Sequence, residues 1–168
     1  MALGDIFKLI EGTGVAAWVR ENDFSFPLLE AIHVSAVMLV LGSIAVMDLR
    51  LLGFASRALP VRRISNAVLP WTWAGFAIAV VSGTVLMTGQ AGAYAANTQF
   101  RLKMLLMLAA GINMLIFHLG VWRSVDDWDR QAPPPWRARL AGGLSAVLWV
   151  GVLVAGRWVG WTVSASPF

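Results

Sequence analysis

No cysteine occurs in the 168 residues of this chain. That excludes disulfides, thiolate metal sites, iron–sulfur clusters and cysteine nucleophiles, and it is silent on redox compartment. Charge is scarce as well. Asp, Glu, Lys and Arg supply 13% of the residues, where a soluble domain averages about 25%. Only two histidines are present, so any imidazole chemistry must run through His33 and His118. A Ser/His/Asp set, a phosphate-binding loop and a dense carboxylate cluster are all missing, which leaves no visible constellation for independent catalysis. The first 23 residues carry Asp5, Lys8, Glu11, Arg20 and Glu21. No uninterrupted apolar core separates them, so a cleavable signal peptide is not expected.

What the chain has in quantity is apolar sequence. Hydrophobic residues make up 58% of it, and the mean hydropathy is +0.71. Four runs, 27–52, 67–89, 100–122 and 140–161, each reach the ~20 residues that cross a bilayer core as a helix. A helix is the spanning form available to such runs, because each backbone polar group must be paired within the segment. The expected fold is all-α: an integral membrane four-helix up-down-up-down bundle over residues 27–163, preceded by residues 1–26 as an outer-surface segment. There Leu3, Ile6, Phe7 and Ile10 share a helical face, Gly12 and Gly14 interrupt, and Val15, Trp18 and Val19 begin a second face with Thr13 as its N-cap. This pattern predicts amphipathic helices lying in the membrane interface.

Arginine sets the expected orientation. Arg57, Arg62 and Arg63 occupy the first loop, and Arg123, Arg130, Arg137 and Arg139 the third. The loop 90–99 has no charge. The positive-inside rule places the arginine loops in the cytoplasm and both termini on the other side. The tryptophans agree: Trp71, Trp73, Trp122, Trp128 and Trp136 lie at the cytoplasmic ends, and Trp18, Trp158 and Trp161 at the outer ends. The net charge of +4 is thereby explained by orientation, and nucleic acid is not an expected partner.

Ionisable side chains inside a span face the protein interior by default. At the outer ends these are Glu30, His33, Lys103 and Arg157. An ion pair from Glu30 to Lys103 or Arg157 is the simplest structural reading; a polar site for an anion, a quinone or a heme propionate is the functional one. Glu30 and His33 have the Glu-x-x-His spacing of a di-iron bundle, but that site needs two such motifs and further carboxylates, so it is rejected. At the inner end, Asp48 at a helix C-terminus opposes the helix dipole and calls for a basic partner, Arg50 or a loop arginine.

His33 and His118 stand on parallel spans, roughly 20 Å apart along the membrane normal. They cannot share one iron within a monomer. Met47 follows His33 by 14 residues, and Met104 precedes His118 by 14, close to four turns. The outer layer then offers His33 and Met104, the inner one His118 and Met47. This is the arrangement expected of a cytochrome b-like protein with stacked heme b groups, since imidazole and thioether are both axial ligands. Gly111, between Met104 and His118, would give a porphyrin room. Copper is an alternative: Met114 and His118 are an i, i+4 pair, and His33, His118 and Met114 form a soft set suited to Cu(I). A third reading has no cofactor, with histidines bonded across helices and methionines filling the core. The expected partners are the lipid bilayer and either other membrane or periplasmic redox proteins or a second copy.

The string Asp48-Leu49-Arg50-Leu51-Leu52-Gly53 after a Glu-x-x-His helix, with Asn97, Phe100 and Lys103 opening the third span, Asn113 within it and Gly156-Arg157 late in the fourth, resembles an uncharacterised family of small bacterial four-span membrane proteins. The resemblance runs from about Trp18 onward and implies a bacterial inner-membrane location, with periplasmic termini. An early-span histidine and the lysine opening a later span are more distantly similar to the CopD-type copper-resistance proteins, which implies copper handling.

Overall fold

The computed structural model describes residues 3–130 and 133–164. Every regular element among them is helical. Two short helices, α1 (Leu3–Glu11) and α2 (Gly14–Glu21), precede the long α3 (Ser25–Leu52) and α4 (Val61–Thr88). A short α5 (Ala91–Ala96) leads into α6 (Thr98–Leu119). A single 3-10 turn, Val121–Ser124, and α7 (Val125–Trp128) connect to α8 (Trp136–Ser164). Four segments are long and apolar enough to cross a membrane: Ser25–Leu52, Val61–Thr88, Thr98–Trp128 and Trp136–Val163. The end of the bundle that carries α1, α2 and α5 is termed outer below, and the end that carries α7 inner.

The surface of the spans is apolar. Leu105, Leu108, Ile116, Val81 and Val147 are each more than 60% exposed, which suits hydrocarbon as the surrounding medium. The contacts between helices use small and polar residues instead, as expected where lipid removes the hydrophobic drive for association. On the α3–α4 face, Ala36, Val40 and Ser43 are buried. A Cβ on Gly75 would lie 3.1 Å from Val40 and 3.2 Å from the Ala36 carbonyl. Thr72 donates to the Ser43 hydroxyl at 2.7 Å. Between α6 and α8, Gly151 receives Leu106, Asn113 Nδ2 donates to the Ala141 carbonyl at 3.0 Å and Asn97 Nδ2 to Thr162 Oγ1 at 2.8 Å.

The packing order is α4 on α3, α3 on α8, and α8 on α6. Helices α3 and α6 flank α8 without an extensive interface of their own, and α4 and α6 likewise share none. The bundle is therefore a folded row, open between its first and last members. The expectation that the first and third spans face each other is corrected here. Glycines on α8 make it the middle of the row: Gly142 admits Leu51 of α3, and Gly151 and Gly156 admit side chains of α6.

The N-terminal helices form as the pattern predicts. Thr13 caps α2 by accepting from the Ala16 amide at 3.3 Å. Arg20 donates to the carbonyls of Glu11 and Gly89, and a Glu11 carboxylate oxygen accepts from the Gly92 amide at 2.8 Å. These bonds tie α2 to α1 and to the end of α4, and α1 to the start of α5. Ile6, Leu9, Val15 and Trp18 stay exposed, so an apolar face remains for the membrane interface.

Candidate functional site

The Asp48–Gly53 string builds the inner end. Gly53 closes α3 in the left-handed region, φ +79°, with the Phe54 amide donating back to the Leu49 carbonyl at 2.9 Å; this is the role glycine fills at no steric cost. Arg50 is fully buried. Its Nε donates to the Leu59 carbonyl at 3.0 Å and an Nη to the Asp129 carbonyl at 3.3 Å, so one side chain stitches both arginine loops together. It does not pair with Asp48. That carboxyl is buried and lies near the Ser145 hydroxyl of α8, while its Oδ2 has no hydrogen-bond partner among the described residues. The basic partner expected for Asp48 is thus missing among them. Arg50 is drawn away because two loop carbonyls need its donors.

His118 belongs to this inner end. Its Nδ1 lies 2.9 Å from the Met114 carbonyl one turn back, and its ring packs against Phe117 and Trp122. A carbonyl can only accept, so Nδ1 carries the proton and Nε2 keeps its lone pair. Met47 packs against the buried cluster of Leu51, Val61, Phe117, Val125, Trp128 and Ala138. It therefore reaches the level of His118, on the Phe117 side. Met104 and Met114 lie on exposed faces of α6. With α3 and α6 unpacked, the structure does not bring Met104 across to His33.

The outer end gathers the other polar side chains. His33 sits in the α3–α4 contact with Nδ1 3.1 Å from Ser82 Oγ. The Ser82 hydroxyl donates its own proton to the Ile78 carbonyl at 2.6 Å, so the imidazole must be the donor in the pair. Nε2 makes no hydrogen bond among the described residues, and the Ala79 carbonyl of α4 lies close to the ring. The ring fits because residue 83 is glycine: a Cβ there would stand 2.8 Å from His33 Cε1. The Ser43–Thr72 and His33–Ser82 pairings escaped the sequence reading. Their signal was available: Ser43–Thr72 and His33–Ser82 are both bonded pairs, ten residues apart along each helix in opposite directions. A hairpin register drawn through the polar residues would have found them.

Lys103 extends from α6 onto α8, its Cδ, Cε and Nζ lying over Gly156, 3.6–3.7 Å from where a Cβ would be. Lys103 and Glu30 both lie within electrostatic reach of the His33 ring. Glu30 is exposed on α3 and forms no ion pair with Lys103 or Arg157. Among the described residues the one ion pair is Arg62 with Asp126 at 2.8 Å. The expected clamp is corrected: Glu30 and Arg157 stay on outward faces, near enough to the helix ends for water and headgroups to solvate them. Arg157 lines a shallow groove along α8 with Leu153, Val154, Trp158 and Trp161. Tyr94 of α5 closes the layer from outside, its ring edge-on to Phe100 at 5.7 Å. Burial, and then the Glu30 carboxylate, push the Tyr94 phenol above its ordinary range.

These four spans are also what is recognisable in the chain. Residues 25–162 match a family of unknown function, DUF6644. The chain belongs to that family. The match takes in all four spans and α5 and stops short of α1 and α2, so the polar layer at the outer end lies within the family's portion, apart from the N-terminal helices above it. No curated protein and no solved structure matches the chain.

Proposed function

We propose that this member of the DUF6644 family is a heme-binding, electron-transferring subunit of cytochrome b type, set in a bacterial inner membrane with both termini periplasmic. One observation carries the reading. Both histidines are held by a hydrogen bond from Nδ1, to Ser82 Oγ and to the Met114 carbonyl, and both keep Nε2 for an incoming metal. A ligating imidazole is oriented in this way by its second nitrogen. Heme b bound there would supply the one-electron chemistry that no side chain of this chain offers.

The open row refines the ligand set. Met104 on an outward face is poorly placed to complete a heme held by His33, and Met47 meets His118 only around Phe117. A second axial ligand is better drawn from a partner in the membrane, which makes the chain a subunit. Copper handling, which the CopD-type resemblance implies, draws on Met114, exposed one turn from His118 on the same helix. Protein produced with ample heme and purified in mild detergent tests the two readings. A pyridine hemochrome of b type supports heme. Heme-free protein with bound copper moves the assignment to copper, and protein lacking both sinks the redox reading and leaves an accessory subunit.

A further inference from the structure

The Lys103 ammonium is a charge in the spans without an anion beside it. Among the described residues no hydrogen bond and no ion pair reaches it, and it is only partly exposed. It is also not folded back along its own helix toward water. Its last three side-chain atoms lie across Gly156 of α8, and its charge is within electrostatic reach of His33 of α3. An ammonium held away from water without an anion is costly, and a lysine near a helix end can usually escape by snorkelling. Here the absent side chain at residue 156 gives it a seat in the opposite direction.

The surroundings say what the charge awaits. Helices α3 and α6 flank α8 without an extensive interface of their own. Tyr94 of α5 is half-buried at this outer end and within electrostatic reach of Glu30. Glu30 is the acid nearest in the layer, and it stands outside ion-pair distance of Lys103 on an exposed face. The flanking faces are apolar: Leu102 and Leu105 on α6 are exposed. A single positive head without an anion, half-buried beside apolar helix faces, matches an amphiphile whose oxyanion lies at one end and whose body lies in the membrane.

We propose that Lys103, seated on Gly156, is the binding site for the oxyanion of a membrane amphiphile, a carboxylate or a phosphate. Heme, with its two carboxylates, belongs to this class, but the site does not depend on heme binding. The test therefore uses heme-free protein in neutral detergent. Native mass spectrometry is run with palmitate and its methyl ester, and with phosphatidylglycerol and phosphatidylcholine. The acidic member of at least one pair binds tenfold or more tightly than its neutral counterpart. Preference confined to palmitate names a carboxylate as the natural group. Preference confined to phosphatidylglycerol names a lipid phosphate, and preference in both pairs names the shared oxyanion. Lys103→Gln abolishes the preference and Lys103→Arg retains it, with thermal melting run on each to show that the fold survives. Equal binding of acid and neutral forms overturns the site, as does a preference unchanged in a folded Lys103→Gln protein. If Lys103→Gln does not fold, Gly156→Val, which fills the seat and leaves the charge, must lose the preference for the proposal to stand.

Discussion

At the scale of single residues, glycines at helix contacts carry more of the structure than the large side chains do. A Cβ on Gly142 would stand 2.9 Å from Leu51 Cβ and 3.2 Å from the Asp48 carbonyl, and neither group can swing aside without moving α3. Gly142→Ala should destabilise the fold by about 1–3 kcal/mol, the usual cost of overpacking. Gly111→Ala, with nothing near its Cβ, should be neutral or gain up to ~1 kcal/mol in helix propensity. Detergent-phase thermal melting separates the two. Tyr94 offers a second check because it is the only tyrosine. Its phenolate absorbance near 295 nm should appear at higher pH than the ordinary midpoint of ~10. Glu30→Gln should bring that midpoint down, because removing the carboxylate removes part of the cost of ionising the phenol. Both histidines were legible as candidates because imidazole is rare in a span. Their partners were not, since a serine hydroxyl and a carbonyl are ordinary in any membrane helix. The ion pair expected for Glu30 failed for a related reason: charges close to a helix end have solvent as an alternative to each other.

Among the elements, the four spans were legible as apolar runs, while their starts were not. The second and fourth helices begin at Val61 and Trp136, earlier than their hydropathy suggests. Their first turns hold Arg62, Arg63, Arg137 and Arg139, which belong to the helix but not to the hydrocarbon. The neighbour relations of the helices were also hidden, because spacing along each helix cannot say which helix stands beside it. Arg50 is what fixes the end of α3 to the loops. Arg50→Met removes donors from the Leu59 and Asp129 carbonyls and should cost about 2–3 kcal/mol, with proteolysis of loop 53–60 accelerated. At the other end, Glu11→Ala deletes the acceptor of the Gly92 amide. Hydrogen exchange at Gly92 should then rise roughly tenfold or more, while the amides in the middle of α3 stay protected.

For the whole molecule, orientation and cofactor are the two matters to settle. The lack of native cysteine makes orientation direct to read. A membrane-impermeant maleimide should label Ala93→Cys in spheroplasts, and should label Ala58→Cys only after the membrane is opened; the reverse pattern would invert the topology. The folded row leaves long apolar faces of α4 and α6 without a neighbour among the described residues, which suits a subunit that completes its ligand set elsewhere. The visible spectrum of purified protein, grown with ample heme, tests the central claim most directly. The account predicts a red protein whose Soret band falls in His33→Gly, in His118→Gly or in both, and returns when imidazole is added to the affected variant. A colourless protein, or a Soret band untouched by either substitution, would contradict it.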